Sequence, residues 1–469
     1  MTKRQIVIVG GGFSGTALAI QLLRRGDESL AITLIEPRAD LAEGIAYSTT
    51  DPVHRINVPA ARMQLSEAEK GDFDKWYRQQ PAFLQDSAAQ WQDGNVYPQR
   101  RCFAAYLREK LNYALKDARA TFRHIQDSAQ SYRTGQLVTQ EGLTLPVDQL
   151  VLAISHPAPL IPSRFQAFST DPNIISDPWQ EGVLQTVDRQ AKVAIIGTGL
   201  TMSDVVASLT RQGHRGTIHA LSRRGQLPRT NLSGDYEDYS LRPKAILPVT
   251  VRGWLRDIRE NVDIAAQQQL PWQLVLDDVR RKGQVIWQQL STTEQRRFSR
   301  HLRPWWDVHR YRLAPQVAAV VDDLLATGQL QINAARLLSV RGVSEQLELT
   351  LGLRQGGLTK LLVDKVILTT GPAHQQLIAS QPLLTSLQSQ GLITADPLGL
   401  GIAVNPQSQT LSPTGVTQPN LFVVGPAARG RFGELMGLPQ VAEHAEFIAK
   451  QLIAAQPSSL KERCPSHLN

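Results

Sequence analysis

The stretch Ile6-Val7-Ile8-Val9-Gly10-Gly11-Gly12-Phe13-Ser14-Gly15 decides the fold of this 469-residue chain. Its apolar, β-branched run reads as a buried strand, and the run ends in Gly10-x-Gly12-x-x-Gly15. Residues 16–25 have helix-forming composition and stop at Gly26, a natural C-cap. A second strand, Leu30–Ile35, is followed by Glu36, which lies about 20 residues past the glycines, the spacing of a dinucleotide-binding unit. Gly10 permits the tight turn, Gly12 the approach of a pyrophosphate, and Gly15 the packing of helix on strand. Free N–H groups and the helix dipole at this end attract anions. Glu36 is expected to accept hydrogen bonds from a ribose, and Phe13, Ser14, Pro37 and Arg38 complete the expected contacts.

The pattern recurs. Residues 193–196 form a strand, Gly197-Thr198-Gly199-Leu200-Thr201-Met202 the turn, and residues 203–211 a helix. Met202 replaces the third glycine, so helix and strand are expected to sit farther apart here. The next strand, residues 217–221, ends in Ser222-Arg223-Arg224-Gly225, with no acid at the ribose position. Two arginines there suit a 2′-phosphate, which predicts NADPH over NADH, bound by Gly197, Gly199, Leu200, Thr201, Ser222, Arg223 and Arg224. A solvated turn is the alternative reading of the arginines.

Between the two patterns lies an irregular segment, residues 44–60, rich in Pro, Gly and Asn. It is expected to reach over the far end of the first cofactor, with Tyr47, Asn57 and Val58 as contacts. A surface connection is the alternative. Residues 150–154 form a buried strand that breaks at Ser155-His156, and the prolines and Asp177-Pro178-Trp179 that follow read as a linker. From about residue 229 to 317 the composition shifts to Trp, Arg and Gln, which predicts a helical insertion with helices near 254–268 and 299–308. Its densest cluster runs from His301 to Arg312. It reads either as the lining of an anionic substrate pocket or as a packed amphipathic helix end. Residues 363–368 form a strand ending in Thr369-Thr370-Gly371-Pro372, read as the return to the first domain. Residues 420–424 end in Gly425-Pro426, and a last helix spans 439–454, its start aimed at a flavin carbonyl. The tail, 457–469, is polar and expected to be loose. The expected organisation is α/β: two Rossmann-like domains with a helical insertion, namely 1–180, 190–362 and 363–469, the last completing the first domain.

Hydrophobic content of 42% and charged content of 20% describe an ordinary soluble globular protein. No apolar run approaches a membrane span, and residues 1–4 lead straight into the first strand without room for a signal peptide, so a cytoplasmic location and no membrane partner are expected. The cysteines, Cys102 and Cys464, are far apart and outside any Cys-x-x-Cys motif, which argues against a metal site and a dithiol relay. A net charge of +8 favours anionic ligands. The basic residues are scattered and no nucleic-acid motif is present, so nucleic acid is not an expected partner.

The two glycine turns, Gly44-x-Ala46-Tyr47-Ser48-Thr49, His54-x-x-Asn57-Val58-Pro59-Ala60, Asp177-Pro178-Trp179, Ser222-Arg223-Arg224-Gly225, Trp306-x-x-His309-Arg310 and Gly425-Pro426 together resemble one group. It is the bacterial FAD/NAD(P)-binding domain flavoproteins; more distantly the chain is similar to the flavin-containing and N-hydroxylating monooxygenases. The resemblance spans nearly the whole chain. It implies FAD in the first fold and a nicotinamide cofactor in the second, with Gly371, Gly425 and Pro426 among the cofactor contacts. Two departures stand out: Gly425-Pro426 replaces the Gly-Asp of the disulfide reductases, and the linker lacks Phe-x-Gly-x-x-x-His. The cofactors carry the redox step. Without a cysteine pair, molecular oxygen is the expected acceptor, with hydroxylation of N or S on a small polar, anionic substrate. Asn57, His309 and Arg310 are the expected catalytic residues. An NAD(P)H:acceptor reductase serving a quinone or protein, and a non-catalytic flavin-binding module, are the alternatives.

Overall fold

The structure, a computed structural model, describes residues 3–154, 156–234, 236–243 and 246–454. Ser155, the tail from 457 onward and Cys464 lie outside the described residues.

Two sheets organise the chain. The first has the strand order Gln409–Leu411, Thr417–Val423, Gln149–Leu152, Arg4–Val9, Leu30–Ile35, Thr121–Ile125. All its pairings are parallel except that of the first two strands. The second has the order Leu358–Val363, Gln346–Leu353, Leu330–Val343, Ile218–Ser222, Val193–Ile196, Lys365–Leu368, Ile174–Ile175. A three-stranded meander, Ala129–Arg133, Gln136–Thr139 and Thr144–Pro146, precedes the closing strand of the first fold. Central strands read as continuous apolar runs because helices cover both faces. Ile6, Ile8, Ile32 and Leu34 pack under Leu18, Leu22 and the final helix Gln440–Ala454. Val193, Ile195 and Ile218 pack under Val205, Leu209 and Val321.

The strand expected to open the return to the first domain is corrected by its pairing. Lys365–Leu368 runs parallel to Val193–Ile196, and Ile174–Ile175 pairs beyond it. Strands from residue 174 to 368 therefore share the second sheet, and the return follows Leu368. The physical reason is symmetry between the halves. In the first fold, Gly10 turns against the end of Gln149–Leu152, where a Cβ would lie 2.3 Å from Ala153 O. In the second, Gly197 needs the same neighbour, and a Cβ there would lie 2.6 Å from Thr369 O.

Met202 in place of glycine is fully buried in the core between helix Leu200–Arg211 and its sheet. The insertion forms Val251–Gln267, Trp272–Arg281, Gly283–Gln289, Thr292–Arg297, a π-helical turn Phe298–Leu302, and Arg303–Arg310. Pro304 lies in the first turn of the last of these, directly after the π-helical turn. No described helix is long and apolar enough to cross a membrane.

Candidate functional site

The two glycine turns have the same division of labour. Gly10 (φ +105°) and Gly197 (φ +129°) occupy backbone regions closed to other residues, and a Cβ on Gly15 would stand 1.9 Å from Gly10 O. These positions are set by the protein's own packing. The middle glycines are different. A Cβ on Gly12 would meet only Gly44 Cα at 3.4 Å, and one on Gly199 would meet nothing within 4 Å. Helices Phe13–Arg25 and Leu200–Arg211 have no side-chain cap and no acid in the first turn. Their leading N–H groups and dipoles are left for an external anion. Both turns thus fit a dinucleotide pyrophosphate.

Glu36 is buried at the end of its strand. Its Oε2 accepts the Gly11 N–H at 2.8 Å, and its Oε1 accepts the Arg38 N–H at 3.2 Å, which leaves lone pairs for a ribose. Pro37 and Arg38 are exposed beside it. The ring of Phe13 lies 5.9 Å from that of Phe103, and Tyr47 packs on the same ring at 5.1 Å. Gly425 (φ +84°) leads into Pro426 and abuts the first helix, where a Cβ would lie 2.3 Å from Ser14 Oγ. In the second fold, Arg223 and Arg224 follow strand Ile218–Ser222 and make no hydrogen bond or ion pair among the described residues. Ser222 Oγ instead shapes the turn, donating to Thr198 Oγ1 at 2.9 Å, whose own hydroxyl donates to Gln226 O at 2.6 Å, and accepting the Gly225 N–H at 3.0 Å.

A cleft of about 2030 Å³ opens between the two folds and the insertion. It brings together Arg38, Tyr47, Asn57 and Val58 from the first fold, Leu200, Thr201 and Gly371 from the second, and Arg310 from the insertion. Asn57 is held by its carbonyl, which accepts from Asn231 Nδ2 at 2.6 Å, while its side-chain amide has no partner among the described residues. His156 also lines the cleft. Its ring stands edge-on to His374 at 5.2 Å, and burial followed by the charge of Arg429 pushes its pKa down to about 4.

The insertion closes over the loop that follows Gly425. Trp306 Nε1 and Arg310 Nε donate to the two oxygens of Glu434 at 2.9 and 3.1 Å, and Trp287 Nε1 donates to Gly430 O at 2.8 Å. His309 does not join them. Its Nδ1 bonds Trp305 O at 2.7 Å, its ring packs on Trp272 at 5.1 Å, and it is outside the cleft lining. Its role is packing of the helix end, not contact with the cleft.

Sequence reasoning quoted His54 and Trp179 without giving them a task. The structure makes them the joint between the folds. Ser208, on the second glycine helix, donates to Asp51 Oδ2 at 2.7 Å, so the 2.9 Å contact from His54 Nε2 must be a donation to the same hydroxyl. Thr49 Oγ1 donates to His54 Nδ1 at 2.6 Å, which fixes the neutral tautomer; burial, the largest influence, lowers the His54 pKa. Beside it Arg100 grips Asp204 through two bonds of 2.8 and 3.1 Å, lies over Trp179, and donates from Nε to Arg55 O.

Residues 7–157 match the family described as FAD-NAD(P)-binding. No curated protein matches the chain in sequence. Solved structures with the same fold include the ornithine hydroxylase PvdA from Pseudomonas aeruginosa in its reduced form, with a TM-score of 0.64, 16% identity, and 96% and 99% of the two chains covered. The L-lysine 6-monooxygenase from Pseudomonas syringae aligns with a TM-score of 0.59 at 17% identity over 96% and 97% of the chains. DfoA, the cadaverine monooxygenase from Erwinia amylovora, aligns over both whole chains with a TM-score of 0.63 at 12% identity. The segment that matches the family thus sits in an α/β fold of two Rossmann-like halves.

Proposed function

We propose that this protein is an FAD- and NADPH-dependent monooxygenase that hydroxylates a nitrogen of a small amine, with a sulfur centre as the less favoured target. The observation that carries the reading is the single cleft. It joins the segment after the first glycine turn to the N-terminus of the second glycine helix, in a fold shared end to end with hydroxylases of ornithine, lysine and cadaverine. FAD would be held by Gly10, Gly12, Phe13, Ser14, Gly15 and Glu36, with Tyr47, Asn57, Val58, Gly425 and Pro426. NADPH would be held by Gly199, Leu200 and Thr201 at the helix N-terminus and by Arg223 and Arg224 at its 2′-phosphate. When bound, the two cofactors supply hydride transfer and the activation of oxygen.

The chain's own residues supply the binding groups. The uncommitted guanidinium groups of Arg223 and Arg224 suit a doubly charged phosphate. Asn57 presents one amide donor and one acceptor to the cleft, fixed in place through its carbonyl. His156, kept neutral by burial, offers a nitrogen that takes or gives a hydrogen bond without carrying charge. The insertion, latched by Glu434, supplies one wall of the cleft through Leu274, Arg280 and Arg310. The sequence holds no Cys-x-x-Cys motif of the kind that relays electrons from a flavin.

The test follows NADPH and oxygen together in a panel of amines. One amine should raise both rates in equal proportion and yield its hydroxylamine, and Asn57→Ala should divert that flux to hydrogen peroxide while FAD stays bound. NADPH oxidation that tracks an added quinone with no oxygen uptake would make the protein an acceptor reductase instead.

A further inference from the structure

Two guanidinium groups in the cleft each bury an N–H donor that meets no acceptor, and one of them also lacks a counter-charge. Arg280, at the end of helix Trp272–Arg281, and Arg310 both line the cleft and reach the turn that leads into the final helix. Arg280 Nη2 donates to Leu438 O and, at 3.0 Å, to Gln440 Oε1, whereas its Nε is fully buried with no acceptor. Arg310 spends Nε on Glu434, and its Nη2 is likewise buried without an acceptor, 3.8 Å from where a Cβ on Gly437 would stand.

The nearby acids are committed elsewhere. Glu434 serves Arg310 and Trp306, and Asp277 pairs with Arg312 at 2.9 Å and Arg62 at 3.6 Å. Glu443 borders the same branch of the cleft, yet its pKa is raised, chiefly by burial, and it forms no ion pair with Arg280. Arg280 therefore has no ion-pair partner among the described residues. Burial and then the like charge of Arg310 push its pKa down to about 9. A buried cation without a counter-ion is unfavourable, and a second cation at the same turn adds repulsion. An anion placed between them removes both penalties, and a carboxylate matches the planar guanidinium fork.

We propose that Arg280 and Arg310 form a subsite for a carboxylate carried by the substrate, so that the protein acts on amino acids in preference to diamines. Calling that ligand the substrate rests on the monooxygenase reading; the anion site itself does not. Its orphaned donors are Arg280 Nε and Arg310 Nη2, in a wall built jointly by the insertion and the FAD-binding fold.

The experiment is calorimetric titration of the FAD-loaded protein with two amines of similar length, 5-aminopentanoate and cadaverine. They share one ammonium group and differ in the group at the other end. 5-Aminopentanoate should bind at least tenfold more tightly, the size expected of one charge-assisted contact. Arg280→Gln should abolish that preference, Arg280→Lys should retain part of it, and sulfate should compete with 5-aminopentanoate alone. Equal affinities, no saturation by 5-aminopentanoate, or an unchanged preference in a folded Arg280→Gln variant overturns the subsite. So does an Arg280→Gln variant that shifts the flavin reduction potential with the preference intact, because the anion met would then be the reduced flavin. The wild-type comparison and sulfate competition decide the matter even where the variants do not fold. Flavin reduction by NADPH without any amine tests the oxidoreductase reading separately. A protein that reduces its flavin but binds both amines equally loses only the subsite, and one that prefers the carboxylate but never reduces flavin loses only the assigned reaction.

Discussion

Asp204→Asn removes the charge from a carboxylate that is 5% exposed and gripped by an arginine that is 11% exposed. Two bonds, 2.8 and 3.1 Å long, are weakened at once, and the Arg100 guanidinium stays buried without its counter-ion. Coulomb attraction at about 4 Å with an effective dielectric near 20 is about 4 kcal/mol. Breaking one side of a buried pair costs about 3–5 kcal/mol. The expected loss is therefore about 3–4 kcal/mol in the joint between the two folds. Arg100→Met should cost at least as much, because it also removes the bond to Arg55 O and the contact over Trp179. The double variant Arg100→Met with Asp204→Leu should recover much of the loss, because neither charge then remains buried. The assay is urea unfolding of the FAD-loaded protein, following the first transition, with the Kd for NADPH measured alongside because Asp204 lies on helix Leu200–Arg211, whose N-terminus is the proposed NADPH site. A loss under about 1 kcal/mol for Asp204→Asn would refute the reasoning, since the pair would then behave as a solvated surface bridge.

Arg223→Gln with Arg224→Gln should weaken NADPH at least tenfold and leave NADH unchanged, the size of a lost charge-assisted phosphate contact; equal losses for both cofactors in stopped-flow titration would remove the 2′-phosphate assignment. Gly12→Val should yield a folded, colourless protein, because a Cβ there meets only Gly44 Cα at 3.4 Å, whereas Gly15→Val should not fold, with Gly10 O 1.9 Å from the new Cβ. Circular dichroism and the flavin absorbance after FAD addition separate the two. His444 is held neutral by complete burial, its pKa pushed down to about 3, while Nδ1 accepts the Gly425 N–H at 3.1 Å. The unfolded chain binds the extra proton first, so this stability is fully present above about pH 6.5 and declines by about 1.4 kcal/mol per pH unit as pH falls toward about 3. In urea midpoints measured across pH 4–7, His444→Gln should flatten that slope, and an unaltered slope would sink the assignment.

The glycine turns and their flanking strands were legible because their information is local: a β-branched run, a turn that only glycine permits, and an uncapped helix. The joint between the folds was not, because His54 meets Ser208 across 154 positions of sequence and no local pattern encodes that pairing. The ribbon beyond Ile218–Ser222 carries a two-residue period, with Leu347, Leu349 and Leu351 inward, but its edge partners depend on long-range register. The Trp306–Arg310 segment shows a finer limit. Residues one turn apart share a helix face, so Trp306 and Arg310 meet the same carboxylate. His309 is rotated by about 100° from Arg310 on a helix of 3.6 residues per turn, and that rotation carries it to Trp272. The sequence reveals a cluster there; only the fold shows which member turns inward.

The order of strands in the first sheet also shapes how the chain is born. Thr417–Val423 lies beside Gln149–Leu152, although the whole second fold separates them in sequence. A ribosome adding about 5–20 residues per second takes on the order of tens of seconds to make that intervening length. Throughout, the apolar strand Gln149–Leu152 presents an open edge of unpaired backbone groups, the template on which strands of separate chains associate. Yield in a heterologous host should therefore hinge on shielding nascent chains, through slower initiation, lower temperature or abundant chaperones, more than on the stability of the finished molecule.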